Sequence, residues 1–409
     1  MIRAFLTALL VAFAGPAVAG DIAVRGERIH TGTGETIADG VVVIRDGRIA
    51  AVGPADRVRI PGGMRVIEAT VVTPGLIDAH SVVGLAGALN QPHDQDQVEH
   101  SEALQPELRA IDAYNAREVL VSWLRDFGVT TIHTGHGPGE IVSGQTMIVK
   151  TTGGTAEDAV IVPVAMVAAT LGSNALAAAD SGRKSPGTRA KVSAMLRTEL
   201  VAAQAYAAKV AKAAREKDAD TPDRDLRKEA LAAVLNRERP LLVTAQRHQD
   251  ILTALRIADE FNIDIVLDGA AESYLVLDEI KAAGVPVILH PTMLRAWGET
   301  ENMSLSTAAK LRDAGIPFAL QSGFESYVPK TRVVLFEAAM LLGYGISFDD
   351  ALASVTIDAA RLLGIDTRTG SIEKGKDGDL ALFDGDPFEY TTHVTGTIID
   401  GVQVSDTVR

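Results

Sequence analysis

The fold is decided by the stretch VVTPGLIDAHSVVG, which spans residues 71–84. A β-branched apolar run is interrupted by Pro74 and Gly75, and a second apolar run then leads into Asp78 and His80. This pattern is typical of a strand whose polar residues emerge at its C-terminal end. Barrel enzymes carry their chemistry at that end of their strands. The stretch therefore predicts a strand that presents Asp78 and His80 to a site.

Later segments alternate between strand-like and helical patterns. Apolar runs that end in polar residues recur at 129–133, 241–246, 263–268, 285–290 and 317–321. Helical patterns separate them, which predicts a parallel α/β architecture over residues 73–365. A region rich in Ala, Lys and Leu at about 188–236 predicts a helical insertion that packs on this architecture.

Short strands and turns flank this region on both sides. Residues 20–72 contain β-branched runs, with Asp46 and Gly47 placed for a hairpin turn. Residues 366–409 contain further runs of this kind, at 379–384 and 397–401. Both ends of the chain are therefore predicted to be β-structured.

The composition indicates a globular protein. The chain has 409 residues, 47% of them hydrophobic, which is enough for one large domain and a smaller one. A formal net charge of −14 without a clustered basic stripe argues against a nucleic-acid partner. Cysteine is absent, so disulfides and thiolate ligands are excluded, and a metal would need His, carboxylate or modified Lys ligands.

The N-terminus has the pattern of a secretory signal peptide over residues 1–19. Arg3 precedes an apolar run from Ala4 to Ala14, and small residues lead up to Ala19. The alternatives are a membrane anchor or a buried first helix, but the run is too short to span a bilayer and polar β-type sequence follows it. We therefore expect cleavage after Ala19, export across the inner membrane, a periplasmic location and no membrane span in the mature chain.

Three segments resemble one family. They are DAHSV at 78–82, PELRAIDAYN at 106–115 and GSIEKGKDGDL at 370–380. They are similar to segments of the amidohydrolase superfamily, in particular its secreted, imidazolonepropionase-like branch. The resemblance implies a distorted (β/α)8 TIM barrel of the metal-dependent hydrolase type, with a small β-sandwich domain formed by both termini. It also implies a family activity, the hydrolysis of C–N bonds other than peptide bonds in cyclic amides or related substrates.

The same resemblance implies a set of metal ligands, most of which this chain lacks. The family places two His on strand one, one His on strand five, one on strand six and a catalytic Asp on strand eight. His80 stands at the first of these positions, whereas the other four are occupied by Val82, Thr244, Gly269 and Gly323. A Val, a Thr and two Gly cannot hold a dication. The sequence therefore predicts a degenerate metal site, no resident cofactor, and a non-catalytic or metal-free member that acts as a binding or partner subunit.

A rebuilt metal site is the alternative. His and carboxylate side chains suit Zn, Fe or Mn, and such residues occur in the segment 93–100 and at other strand ends. The candidate ligands are His93, His100, His133, His136 and His290. The plain structural alternative is a solvated polar loop and hydrogen-bonded histidines at strand ends, because these residues lack a standard metal-pair spacing.

Several other polar residues are pocket candidates by their position at strand ends. They are Lys150, Gln246, Arg247, Asp268, Glu272, Ser322 and Glu325. Lys150 matches a lysine of the resembling branch, and an ion-paired role is the alternative for it. The expected partner is a small-molecule ligand or an active paralogous amidohydrolase subunit, and the resemblance implies a homo- or hetero-oligomer.

Overall fold

The structure is a computed structural model that describes residues 21–89, 91–177, 182–290, 296–323 and 333–409. The predicted signal peptide of residues 1–19 and the pocket candidate Glu325 lie outside the described residues. The described strands are β1 Ile22–His30, β2 Thr36–Arg45, β3 Arg48–Pro54, β4 Arg65–Pro74, β5 Leu76–Ser81, β6 Val129–Thr134, β7 Val142–Gln145, β8 Met147–Lys150, β9 Val160–Val162, β10 Val167–Thr170, β11 Leu241–Ala245, β12 Ile265–Gly269, β13 Val287–Leu289, β14 Phe318–Leu320, β15 Leu380–Phe383, β16 Val394–Ile399 and β17 Val402–Ser405.

Helices alternate with most of the later strands. The described α-helices are α1 Val119–Asp126, α2 Ala156–Ala159, α3 Arg189–Arg215, α4 Leu226–Leu235, α5 His248–Phe261, α6 Leu277–Ala283, α7 Thr307–Ala314, α8 Val334–Leu342, α9 Phe348–Ser354 and α10 Ile357–Leu362. The mixed α/β content predicted from the alternating patterns is confirmed.

Strands from both ends of the chain share one sheet. Its order is β17-β16-β15-β4-β1-β2-β3, and β15 pairs antiparallel with β4, which places Leu380 opposite Pro74. The hairpin between β2 and β3 turns at Asp46 and Gly47. Because the described strands of the two ends form a single seven-stranded sheet, a two-layered sandwich stays a prediction.

Two further sheets carry the central part of the chain. One has the order β14-β13-β12-β11-β10-β7 and the other β5-β6-β8-β9. The strands from β10 to β14 are parallel to one another, as the βα repeats require. A backbone bridge between Ser81 and Gly323 links the two sheets. The closed eight-stranded barrel stays a prediction, because the described strands form two sheets.

Apolar side chains from both central sheets pack into one shared layer. Each of six strands contributes residues to it, and these are Ile77 and Ala79 of β5, Ile148 of β8, Leu242 of β11, Val266 of β12, Ile288 of β13 and Ala319 of β14. All of them are buried. Burial of such side chains stabilises the fold by about 1.5–3 kcal/mol for each large one. The layer therefore fixes how the strand ends are arranged around the site.

Helices α3 and α4 lie in the segment predicted as an insertion. The Thr188 side chain accepts a hydrogen bond from the backbone N–H of Lys191 and so caps α3. Val192, Leu196 and Leu200 are buried along one face of this helix, at the spacing of an amphipathic helix that packs on a core. Among the described helices, none combines the length and the apolar composition that crossing a membrane requires.

Candidate functional site at the strand ends

A layer of polar residues lies directly above the shared apolar layer. Successive side chains of a strand alternate between its faces, so residues two apart share a face. Four polar residues each follow an apolar-layer residue by two positions, and they are Thr244, Asp268, His290 and Gln321. All four line one small cavity. The inward face of these strands is therefore apolar in the interior and polar at the C-terminal ends.

Asp268 is the hydrogen-bonding centre of this layer. Its Oδ1 accepts from Nδ1 of His80 at 2.8 Å and from Nε2 of Gln321 at 2.7 Å, and its Oδ2 accepts from Oγ1 of Thr244 at 2.5 Å. Burial opposes ionisation, but the His80 charge and these donors together hold the pKa of Asp268 below its usual range. Asp268 is therefore a buried carboxylate whose two oxygens are already bonded.

Nδ1 of His80 is bonded to this carboxylate, whereas Nε2 is not. Burial alone would lower the pKa of His80, but the Asp268 carboxylate reverses the effect and raises it. Nε2 of His80 is buried and has no hydrogen-bond partner among the described residues. His80 lines the cavity, and its Nδ1 is bonded to Asp268.

The cavity is small and opens on one side. Its volume is about 30 Å³, which is room for about one water molecule. The lining residues are His80, Ser81, Val82, Pro138, Thr244, Gln246, Asp268, Gly269, His290, Gln321 and Gly323. Pro138 and Gln246 are partly exposed whereas the others are buried, so the opening lies beside these two residues.

Asp78 forms a second buried contact between β5 and the end of β14. Ser322 donates its backbone N–H to Oδ1 of Asp78 at 3.0 Å and its hydroxyl to Oδ2. Burial raises the pKa of Asp78 to about 6, although the bonds from Ser322 act in the opposite direction. Asp78 and Ser322 are outside the cavity wall and hold the strands that carry His80 and Gln321.

Comparisons with known proteins agree on one family. A profile described as the Amidohydrolase family matches residues 207–405. These comparisons support a place for the chain in the amidohydrolase superfamily. The imidazolonepropionase of Rhizobium rhizogenes is 23% identical over 85% of this chain and 87% of its own length, and that of Sphingopyxis alaskensis is 25% identical over 88% and 90%. A crystal structure of an amidohydrolase from Thermotoga maritima MSB8 superposes with a TM-score of 0.89 at 26% identity, covering 94% of this chain and 100% of that one.

Amidohydrolases usually bind a divalent metal, so the fit of this site to a metal is the next question. The buried, unpartnered Nε2 of His80 is one suitable donor. Asp268 is not a second one, because both of its oxygens accept hydrogen bonds inside the protein. Thr244 donates its hydroxyl to Asp268, and Val82 offers no donor atom. The residues present therefore do not fit a tightly held dication, which needs three or more ligands.

The two positions that the sequence resemblance assigns to further family ligands are glycines in a conformation that favours glycine. Gly269 has φ +75° and Gly323 has φ +73°, and both line the cavity. A Cβ on Gly269 would lie 2.3 Å from Nε2 of Gln246, and one on Gly323 would lie 2.7 Å from Cε1 of His290. Neighbouring side chains therefore occupy the space that a larger residue at either position would need.

The histidines considered for a rebuilt metal site do not come together. His93 is exposed in a short turn, and Nδ1 of His100 bonds Oε1 of Glu140 at 2.8 Å. Nδ1 of His133 bonds the Ala79 carbonyl at 2.7 Å, and its Nε2 bonds the Thr146 hydroxyl at 2.6 Å. His136 is buried elsewhere, and His290 lines the cavity. Within the described ranges, no group of three or more His, Asp or Glu residues is arranged to hold a metal.

The pocket candidates lie in different places relative to the cavity. Asp268 and Gln246 line the cavity, and Ser322 lies beside it on Asp78. Arg247 and Glu272 lie outside the cavity wall, where Arg247 bonds Oε1 of Glu301 at 2.7 Å and Glu272 accepts from Nδ1 of His248 at 2.7 Å. Arg247 is partly exposed and Glu272 is buried, both make contacts at the start of α5, and neither lines the cavity.

Lys150 lies away from the cavity, in a buried ionic cluster. Its ammonium donates to Oδ2 of Asp377 at 2.9 Å, to Oδ1 of Asp379 at 3.0 Å and to Asp400. Burial would lower the pKa of Lys150, but these three carboxylates raise it. The residue is therefore a protonated amine that joins β8 to the terminal sheet, not a pocket residue.

Three cavity residues were not among the candidates from the sequence: Gln321, Ser81 and Pro138. The signal for Gln321 was available, because it follows the apolar Ala319 by two positions, as Asp268 follows Val266. No pattern points to Pro138, which reaches the cavity from the segment after β6.

Acid sensitivity is expected from buried His136. It is 4% exposed, neither ring nitrogen has a partner among the described residues, and burial lowers the pKa of His136 to about 4. In the unfolded chain the imidazole pKa is about 6.5. Native His136 therefore binds fewer protons than the unfolded state, and its contribution to stability is lost as the pH falls from about 6.5 toward 4.

The His136→Leu variant tests this directly. We expect it to remove about 2 kcal/mol of the difference between the unfolding free energies at pH 7 and pH 4.5, measured by urea denaturation. His93→Leu is the control, since His93 is exposed. A His136→Leu protein with the same pH dependence as the wild type would contradict the assignment.

Proposed function

We propose that this protein binds a small cyclic amide at the strand-end cavity without a resident catalytic dication. The observation that carries the proposal is the hydrogen bonding of Asp268, whose two oxygens accept from His80, Thr244 and Gln321. The named relatives are imidazolonepropionases, so a five-membered cyclic amide is the ligand class to test. The chain is thereby a metal-independent member with a degenerate metal site.

The chemistry of the cavity wall suits an amide group. Nε2 of His80 offers a hydrogen-bonding nitrogen, and Oε1 of Gln246 accepts from the backbone N–H of Ala271 at 3.2 Å. That bond fixes the Gln246 amide and directs its Nε2 toward Gly269 and the cavity. A ring is larger than the cavity, so it would sit at the opening with its carbonyl toward Gln246.

The proposal includes the setting of the protein. The strands would close into a distorted (β/α)8 barrel beside a terminal β-sandwich. The chain would be exported to the periplasm after cleavage following Ala19, and it would act as a binding subunit, alone as a homo-oligomer or with an active paralogue. Sequencing of the mature N-terminus and co-purification with the paralogue test these two points.

Metal content and ligand binding test the central claim. The mature protein, purified without chelator and then soaked in zinc and manganese before desalting, is expected to carry far less than one metal ion per chain by plasma mass spectrometry. Hydantoin is expected to bind with the same Kd before and after EDTA treatment, measured by calorimetry.

A variant pair localises the binding. Gln246→Ala removes the amide donor at the opening and should weaken hydantoin binding about 5- to 10-fold, the worth of one hydrogen bond. Gln249→Ala changes the same residue type three positions along, on the exposed surface of α5, and should leave the Kd unchanged. Near-stoichiometric metal, or hydantoin binding that EDTA abolishes, would contradict the proposal.

A further inference from the structure

We infer that the groove between helices α3 and α5 is a second binding site, and that it takes a small anion that carries phosphate. The volume of the groove is about 400 Å³, which is the size of a small-molecule site. Arg189 and Arg197 of α3 and Arg256 of α5 line it. Among the described residues, none lines both this groove and the strand-end cavity, so the inference goes beyond the proposed function and does not rest on it.

Two polar helix faces form the walls of the groove. The lining residues on each helix are three or four positions apart, which places them on one side of that helix. They are Arg189, Ser193 and Arg197 on α3, and Gln249, Thr253 and Arg256 on α5. Among the described residues that line the groove, none is aromatic or a large aliphatic residue. The groove therefore suits a charged, hydrophilic ligand.

Arg197 and Arg256 keep guanidinium nitrogens available for a ligand. Arg197 donates from Nε to Oε2 of Glu260 at 2.7 Å, and Arg256 donates from Nη2 to the hydroxyl of Thr253 at 2.7 Å. Their other nitrogens bond none of the residues that the structure describes. The Thr253 hydroxyl donates in turn to the carbonyl of Gln249 at 2.8 Å, and so it orients Arg256 along the wall.

Arg189 lies at the opposite end of the groove and is already neutralised. Its Nε contacts the two oxygens of Asp250 at 3.2 and 3.1 Å, and its Nη2 donates to Oε1 of Glu299 at 2.6 Å. Arg189 thus meets the start of α5, whereas Arg197 meets Glu260 near the end of that helix. The two arginines are about 12 Å apart along α3. We therefore place the anion at the Arg197 end, away from the Asp250 carboxylate.

Helix α3 is basic although the protein is acidic. It contains six Lys or Arg residues and one Glu, whereas the whole chain has a formal net charge of −14. A local excess of positive charge attracts anions that the remaining surface repels. The groove lies along this helix, which favours an anionic ligand over a cationic one.

A phosphate group fits the two walls better than a carboxylate does. A guanidinium group binds either of them through paired N–H donors. The two oxygens of a carboxylate lie in one plane and face one such group, whereas the tetrahedral oxygens of phosphate accept from Arg197 on one wall and Arg256 on the other. Gln249, which is exposed on α5, offers an amide donor beside them. The phosphate belongs either to a soluble compound or to a lipid headgroup.

Inorganic pyrophosphate is the probe, titrated into the full mature protein by calorimetry in a phosphate-free buffer of low ionic strength. We expect one site per chain, and binding about 10-fold weaker in Arg256→Gln, the effect of one charged hydrogen bond. Arg256 is exposed and has no carboxylate partner among the described residues, so the variant should fold. Arg215→Gln is the matched control, because Arg215 is exposed at the end of the same basic helix and does not line the groove.

Glu260→Gln tests the site in the opposite direction. The substitution removes the carboxylate that competes for Arg197, so pyrophosphate should bind about 3-fold more tightly. Damage to the fold would not produce tighter binding. The Kd of hydantoin should stay unchanged in Arg256→Gln and in Glu260→Gln, because neither residue lines the strand-end cavity.

Co-sedimentation with phosphatidylcholine vesicles, with and without phosphatidylglycerol, distinguishes the two sources of phosphate. Pyrophosphate binding without vesicle binding would assign the site to a soluble phosphate compound. Binding to the vesicles with phosphatidylglycerol, weakened by Arg256→Gln and not by Arg215→Gln, would assign it to a lipid headgroup. Binding of neither probe would overturn the inference, as would an equal loss of binding in Arg215→Gln and Arg256→Gln or no gain of affinity in Glu260→Gln.

Discussion

The Lys150→Met variant is expected to lower the free energy of unfolding by about 3–5 kcal/mol, the usual effect of removing one partner from a buried ion pair. Lys150 is 3% exposed, and its ammonium contacts Asp377, Asp379 and Asp400. Methionine keeps the length of the side chain and removes only the charge. The carboxylates would then repel one another without the ammonium between them.

The remaining cations cannot compensate for this loss. Arg368 donates to Oδ2 of Asp377 at 2.7 Å, but Asp379 is left with the hydroxyl of Thr369 at 3.1 Å and the backbone N–H of Asp400 at 3.0 Å. Burial already raises the pKa of Asp379 with Lys150 in place. Without the lysine, Asp379 would have to stay ionised at a high cost or take up a proton.

Urea denaturation at pH 7 measures the effect, with Lys374→Met as the control on the exposed surface. The double variant Lys150→Met with Asp379→Asn should recover part of the lost stability, because it removes one uncompensated charge. Hydantoin binding by the folded single variant should match the wild type, since the cluster lies outside the cavity. A loss below about 1 kcal/mol would show that the cluster does not carry the connection between the sheets.

A site residue can be predicted from the sequence where its position follows from the residues next to it in the chain. The positions of Asp268 and Gln246 at strand ends follow from apolar runs that finish in polar residues, and the structure places both at the cavity. The same reasoning selects Lys150, because β8 also ends in a polar residue after an apolar run. Strand β8 is antiparallel to β6, so its end points away from the ends of the parallel strands. The sequence of one strand does not reveal that direction.

Pairings between distant residues are the part that sequence patterns do not supply. His80 meets Asp268 188 positions later, and Lys150 meets Asp377 227 positions later. Nothing in either local segment indicates its partner, because register and strand order are set by the whole fold. The hydrogen bond between His80 and Asp268 therefore becomes visible only in the three-dimensional structure.

The Gly323→Ala variant is expected to lose about 2–4 kcal/mol of stability, more than a left-handed backbone alone would cause. Its φ of +73° disfavours any residue with a Cβ, and that Cβ would lie 2.7 Å from the buried imidazole of His290. Gly315→Ala is a matched control, because Gly315 has the same φ of +73° and nothing within 4 Å of the added atom. The difference between the two variants isolates the steric conflict with His290. Equal losses would show that His290 moves aside freely.

This comparison bears on whether a metal site could be built at these positions one residue at a time. Gly323→Asp places a carboxylate at the position that the resemblance assigns to the family's strand-eight Asp. It would collide with His290, and Asp268 would stay bonded to His80, Thr244 and Gln321. At Gly269 the obstacle is the end of the Gln246 side chain, which can move more easily. Gly323→Asp should therefore fail to bind zinc at near-stoichiometric levels by plasma mass spectrometry. Tight zinc binding by this single variant would mean that the residues around the cavity are still arranged for a metal, and it would contradict a site committed to a hydrogen-bonded His80.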